Sequence, residues 1–119
     1  MERIAHETII ETQEESEKDD EIIFKLLIDE KMVSWAKTTL YSHIDEFHTA
    51  CFGKRKGYGG KLLAFIEKNA KAHGATSMVT CNFDPRNHVA ISFFKKMSYT
   101  INQNTTVTYN SVYGVRLFK

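Results

Sequence analysis

At 119 residues, with 42% hydrophobic and 26% charged side chains, the chain is sized and composed for one globular domain around one core. A formal net charge of +1 excludes a surface given over wholly to nucleic acid, and no apolar run nears the ~18 residues of a membrane span. Two cysteines, Cys51 and Cys81, make neither a disulfide framework nor a metal-ligand cluster, and "MERIAHETII" has no signal-peptide core, so the expectation is reduced thiols in a cytoplasmic chain, or a nuclear one if the source has a nucleus.

In chain order, Ile4, Thr8 and Ile10 suit a short strand, and the acidic run "ETQEESEKDDE" after it reads as a solvated turn or linker. "EIIFKLLI", Glu21–Ile28, is apolar but for one lysine and predicts a central strand. A turn at "DEK" leads into "MVSWAKTTLY", rich in β-formers. "SHIDEFHTACF" alternates, placing Ile44, Glu46 and His48 on one side and His43, Asp45, Phe47 and Thr49 on the other. These three segments read as an antiparallel meander.

The period changes after Gly53. "GYGGKLLAFIEKNAKAHG" carries Leu62, Leu63, Ile66 and Ala70 at helical spacing, and His73 with Gly74 reads as its last turn and terminal glycine. "ATSMVTCNF" predicts a buried strand. After the only proline, Pro85, a second helix turns Val89, Ala90, Phe93, Phe94 and Met97 inward. "YTINQN" and "TVTYNSVYGVRLFK" predict two closing strands joined by a polar turn near Asn104. The order is strands, helix, strand, helix, strands, a mixed α/β sheet.

"KRKGYGGKLL", residues 54–63, gathers four cationic side chains and three glycines where the first helix starts. It fails the nucleotide-triphosphate loop, because Leu62 follows Gly60-Lys61 and Arg55 stands five before Gly60. The dinucleotide fingerprint also fails, with Leu at position 62 and no parallel βαβ context. What remains is an anion cradle: glycines turn backbone N–H groups toward one point, and the helix start adds free N–H groups and partial positive charge. Lys54, Arg55 and Lys56 bring ionic attraction to its entry, and a pyrophosphate is the guest it prefers. A basic surface loop before a capped helix is the plainer reading.

The pattern Lys54-x-x-Gly57-Tyr58-Gly59 resembles the Gln/Arg-x-x-Gly-x-Gly/Ala signature of the GNAT superfamily of acyl-CoA-dependent N-acetyltransferases. "NHVAISFFKKMSY" resembles that family's N-x-x-A-x-x-F-Y-x-K-x-G-F: Asn87, Ala90, Phe93, Lys96 and Tyr99 fall in place, while Phe94 replaces the tyrosine and Ser98 the glycine. The resemblance covers residues 21–119 and implies a GNAT-like, mostly antiparallel sheet flanked by two main helices. It implies acetyl-CoA as co-substrate, with main-chain groups of Thr49, Ala50 and Cys51 along the pantetheine arm where the next strand splays away. Gly57, Gly59 and Gly60, with the adjoining N–H groups of Tyr58 and Lys61, would hold the pyrophosphate. Asn87 and Phe94 would lie beside the thioester; Asn87 also suits a helix cap and Phe94 plain core.

Transfer to an amine needs a neutral amine, a nearby thioester and a proton for the departing thiolate. The tyrosine thought to supply that proton in many relatives is Phe94 here, as in the equivalent helix of transcriptional histone acetyltransferases. Those enzymes use a glutamate on the third meander strand as base; the position that lines up is His43, with Asp45 on the same face. His43, Asp45 or both are therefore the candidate base, directly or through water, and a histidine titrates in a suitable range. No spacing argument makes Cys51 or Cys81 a nucleophile.

The family's helices between its first two strands shrink here to a short acidic stretch. Either that acceptor wall is a loop or the first strand is missing. An open site suits a protein lysine or a small cationic amine, or a second copy of the chain in a homodimer could complete it. A non-catalytic acyl-CoA-binding module is the alternative reading, given Phe94. A nucleic-acid role for residues 54–61 is disfavoured by the lack of interleaved exposed aromatics.

Overall fold

The structure, a computed structural model, describes residues 6–12, 21–49, 57–104 and 110–118. Nine elements follow in the expected order: β1 (Glu7–Thr12), β2 (Glu21–Ile28), β3 (Lys31–Thr39), β4 (His43–Thr49), α1 (Tyr58–Ala72), β5 (Ser77–Thr80), α2 (His88–Lys96), β6 (Thr100–Gln103) and β7 (Val112–Leu117). They build a seven-stranded sheet in the order β1-β2-β3-β4-β5-β7-β6. Among the described residues only the β4–β5 pair is parallel, joined through α1 as a crossover connection. The N-terminal strand is present and runs antiparallel to β2 from Glu7↔Ile28 to Thr12↔Ile23.

Local chemistry explains the corners. Asp29 and Glu30 both take positive φ, 50° and 69°, between the paired residues Ile28 and Lys31, the signature of a two-residue type I′ hairpin. Both helices end in the same hydrogen-bonded cap. After α1, Ala75 N donates to Ala70 O and Gly74 N to Lys71 O, with Gly74 at φ 86°. After α2, Tyr99 N donates to Phe94 O and Ser98 N to Lys95 O. Here the left-handed residue is Ser98 at φ 75°, and the Phe94 and Tyr99 rings meet edge to face, 5.3 Å between centroids.

One sheet face carries the core. Phe24, Leu26 and Ile44 pack under Leu62, Leu63 and Ile66 of α1, all fully buried, with Met78 of β5 and Phe94 of α2 in the same cluster. Each such side chain contributes about 1.5–3 kcal/mol by leaving water. The inward set of α1 contains the four residues its periodicity predicts, with Gly59 and Glu67 added; Glu67 is 4% exposed. It accepts a 2.9 Å bond from Tyr99 Oη and bonds from Arg116 Nη1 at 2.8 and 3.0 Å, which ties α1 to the end of α2 and to β7. Val89, expected inward, is 53% exposed at the outer end of α2.

The opposite face carries Trp35 stacked on His48, Lys37 between Glu21 and Glu46, and the trio Thr39, His43 and Asp45. Among the described residues, no helix covers it.

Candidate active site

A β-bulge organises the site. Along β3 and β4 the register runs Lys37↔Glu46 and then Thr38↔Ile44, so Asp45 is an extra residue with no partner on β3. Strict alternation places Ile44 and Phe47 on opposite faces. The extra residue instead turns both toward the helices and leaves Asp45 and Glu46 together on the bare face.

The other side of β4 changes at the same point. β4 pairs with β5 only at His43↔Val79 and Ile44↔Thr80. Val79 N donates to Ser42 O at 2.9 Å and Cys81 N to Ile44 O at 2.7 Å, after which the two strands part. Among the described residues, the ladder between β4 and β5 does not continue past Ile44↔Thr80. A pocket of about 180 Å³ opens in the resulting wedge, lined by Ile44, Phe47, Thr80, Cys81, Phe83, Asn87, Val89, Ala90 and Phe94.

The pocket's far wall is positioned by a turn and a cap. Asn87 N donates to Asp84 O at 2.9 Å with Pro85 second of the four residues, a position that suits its fixed φ. Asp84 Oδ1 also accepts from Arg86 N at 2.8 Å, and the Arg86 guanidinium beside it lowers the exposed carboxyl to about 2. Asn87 Oδ1 then accepts from Ala90 N at 3.1 Å and starts α2. Asn87 therefore caps the helix and lines the pocket at once. Phe94 is likewise both core, 5% exposed, and pocket wall.

The start of α1 adjoins this wall. Gly57 is its N-cap at φ 75°, with no side-chain cap and no acidic residue in the first turn. The N–H groups of Tyr58, Gly59 and Gly60 therefore precede the first intrahelical bond, from Lys61 N to Gly57 O at 3.0 Å. The glycines also let the helices approach. A Cβ on Gly59 would lie 3.1 Å from the Phe93 ring and 3.5 Å from that of Phe47; one on Gly60 would touch Met97 at 3.6 Å. The Tyr58 ring packs against the core, which leaves its peptide N–H toward a guest, whereas Lys61 has its N–H in the helix and its ammonium paired with Glu7 of β1.

His43 and Asp45 come together as a hydrogen-bonded pair, His43 Nδ1 to Asp45 Oδ1 at 3.0 Å, with Thr39 Oγ1 donating to Asp45 Oδ2. The backbone of Thr49 pairs with Ser34 at the end of β4. Ala50, Cys51, Lys54, Arg55 and Lys56 lie outside the described residues. The motifs did not point to Ile44, Phe47, Thr80 and Phe83 as pocket residues; the usable signal for Thr80 was its place at the end of a strand before a proline turn. Cys81 lines the pocket too, and burial first, then the charge of Asp45, pushes its thiol up, so it keeps its proton and is a poor nucleophile. Among the described residues, no group of three or more His, Cys, Asp or Glu could hold a metal, and no helix is long and apolar enough to cross a membrane.

A family model described as the acetyltransferase (GNAT) family matches residues 2–99. Among solved structures, a candidate acyl-CoA N-acyltransferase from Klebsiella pneumoniae subsp. pneumoniae MGH 78578 superposes with a TM-score of 0.74 at 13% identity, covering 95% of this chain and 98% of its own. A candidate streptothricin acetyltransferase from Bacillus anthracis str. Ames, in complex with acetyl coenzyme A, gives 0.71 at 17% identity over 84% of this chain. The PaiA N-acetyltransferase from Thermoplasma acidophilum, in complex with coenzyme A, gives 0.71 at 15% identity over 83%. The chain spans 64% and 62% of the length of these last two. At these identities the likeness is one of fold. No curated protein sequence matches.

Proposed function

The chain belongs to the GNAT acetyltransferase family, and from that premise we propose that residues 1–119 act as one domain that transfers an acetyl group from acetyl-CoA directly to a primary amine. The observation that carries this reading is the parting of β4 and β5 after Ile44 and Cys81, directly over the pocket walled by Asn87 and Phe94. The residues fit acetyl-CoA: uncapped N–H groups at the start of α1 suit a pyrophosphate, and the stretch of β4 beyond its ladder with β5 suits a pantetheine arm. The apolar pocket between them suits a thioester.

When bound, acetyl-CoA supplies an activated acetyl thioester. Tyr58, Gly59 and Gly60 hold the anionic end by main-chain N–H groups beside Lys61, with Lys54, Arg55 and Lys56 assigned to its entry. Residues 49–51 are assigned to the arm. Asn87, Ala90 and Phe94 pack beside the reacting end and orient it. His43 and Asp45 stand on the bare face of the same strand, where an acceptor amine can approach, and take its proton. Phe94 has no proton to give, so water serves the departing thiolate. Losing one acid costs ~10²–10⁴-fold, less than the effective molarities of about 10⁵–10⁸ M that positioning supplies. The uncovered sheet face suits a protein lysine or a small cationic amine as acceptor.

Thiol release from acetyl-CoA, followed across a panel of polyamines, amino acids and lysine peptides, tests this. Turnover on at least one amine is expected. Coenzyme binding without thiol release on any of them would leave an acyl-CoA-binding module instead, and no binding at all would remove both.

A further inference from the structure

We propose that Thr39 is a positioning residue: its hydroxyl holds Asp45 so that His43 presents Nε2, and not Nδ1, to the acceptor amine. The inference rests on the assignment of His43 and Asp45 to the amine, and adds to it a division of labour.

Thr39 and His43 are direct cross-strand partners on β3 and β4. In a regular ladder a residue two along from His43 would pair on with β3. Here Asp45 is the bulge residue, released from the ladder, and its carboxylate reaches both side chains. Oδ2 accepts from Thr39 Oγ1 and Oδ1 meets His43 Nδ1 at 3.0 Å. A carboxylate only accepts, so the proton of that bond belongs to Nδ1. A neutral imidazole with its proton on Nδ1 carries its free lone pair on Nε2. With a hydrogen bond on each carboxylate oxygen, Asp45 is held in one orientation against His43. The labour divides: Nε2 of His43 accepts the ammonium proton, Asp45 stabilises the imidazolium that results, and Thr39 fixes Asp45.

The neighbouring charges leave this arrangement intact. Glu46, next on β4, is engaged by Lys37 of β3 at 3.6 Å, and Lys37 also reaches Glu21 of β2 at 3.8 Å. His48 of β4 lies 4.0 Å from Glu46 and stacks on Trp35. Just past the end of β5, the thiol of Cys81 feels the charge of Asp45 and keeps its proton. The trio is itself half open: the His43 side chain is 48% exposed and Asp45 30%, leaving the imidazole accessible to an incoming amine.

The test uses the full chain with ¹⁵N-labelled histidine and three variants, Thr39→Val, Thr39→Ser and His43→Ala. Long-range ¹H–¹⁵N spectra should show His43 of the unaltered protein with its proton on Nδ1 when neutral. Thr39→Val should mix in the Nε2–H form and lower kcat by about tenfold, a fraction of what a positioned base supplies, with KM for acetyl-CoA unchanged. Thr39→Ser should restore both readouts, which a purely steric role for the threonine would not require. An Nε2–H tautomer in the unaltered protein, or Thr39→Val matching it in tautomer and rate, overturns the proposal. The failures are separable. An inactive His43→Ala beside a fully active Thr39→Val removes Thr39 alone, whereas a fully active His43→Ala removes His43 as the base.

Discussion

Ile44 and Phe47 stand three residues apart on β4 yet line the same pocket, an arrangement that only an inserted residue allows on a strand with period two. The pocket they share, about 180 Å³, is small enough for one large side chain from the opposite wall to occupy much of it. Ala90→Phe, on α2, should occupy it and raise the dissociation constant for coenzyme A at least about tenfold, or ~1.4 kcal/mol. The melting temperature should hold or rise, because the added ring packs against Phe83 and Phe94. Calorimetric titration beside a thermal melt checks both. Unchanged affinity would place the coenzyme elsewhere.

Ser98 occupies the left-handed position that glycine fills at the end of α1. Relieving its strain is worth about 1–2 kcal/mol, against ~0.4–1 kcal/mol of extra freedom that glycine brings to the unfolded chain. Ser98→Gly should therefore stabilise the fold by roughly 0.5–1 kcal/mol and raise the melting temperature by a few degrees. Gly74→Ser should do the reverse.

Burial, then the charge and hydrogen bond of Glu67, push the Tyr99 phenol far above its ordinary value of 10.0. The unfolded chain ionises this tyrosine first, so its contribution is complete below pH 10 and declines as the pH climbs above it. Tyr99→Phe should cost about 1–2 kcal/mol at neutral pH, since Glu67 loses one donor inside the core. It should also flatten the loss of stability between pH 10 and 11. Urea midpoints across that range give the comparison, and parallel curves for the two proteins would contradict it.

Gly59 and Gly57 should respond differently to alanine. At Gly59 a Cβ meets the Phe93 ring edge at 3.1 Å, so Gly59→Ala should cost about 1–3 kcal/mol by overpacking. That cost should shrink by at least ~0.5 kcal/mol when Phe93→Leu is present. At Gly57 nothing lies within 4 Å, and only the φ of 75° resists a side chain. Gly57→Ala should cost about 1 kcal/mol with or without Phe93→Leu. A double-mutant cycle with no coupling at Gly59 would rule out the close approach of α1 and α2.

The mixed sheet, its element order and the family were legible in the chain itself. Leu62, Leu63, Ile66 and Ala70 mark the buried stripe of α1, and the glycine turn with "NHVAISFFKKMSY" marks the family. Such signals are local: a period, a cap or a spacing is complete within one segment. Val89 shows the limit even there, since it fits the inward stripe of α2 by spacing but sits in the first turn of the helix, half exposed at the rim of the pocket.

Everything that depends on where one strand meets another had to wait for the fold. Residue 45 looks like an ordinary member of an alternating strand until β3 pairs past it, and only then do Ile44 and Phe47 converge and Thr39 come within reach of the carboxylate. Glu67 likewise reads as a surface position on an amphipathic helix, because the partners that make its burial tolerable, Tyr99 and Arg116, lie 32 and 49 residues away. Periodicity assigns a residue to a face; the pairing of distant segments decides whether that face is core, pocket or open surface. A polar group is buried only where such pairing brings it a partner.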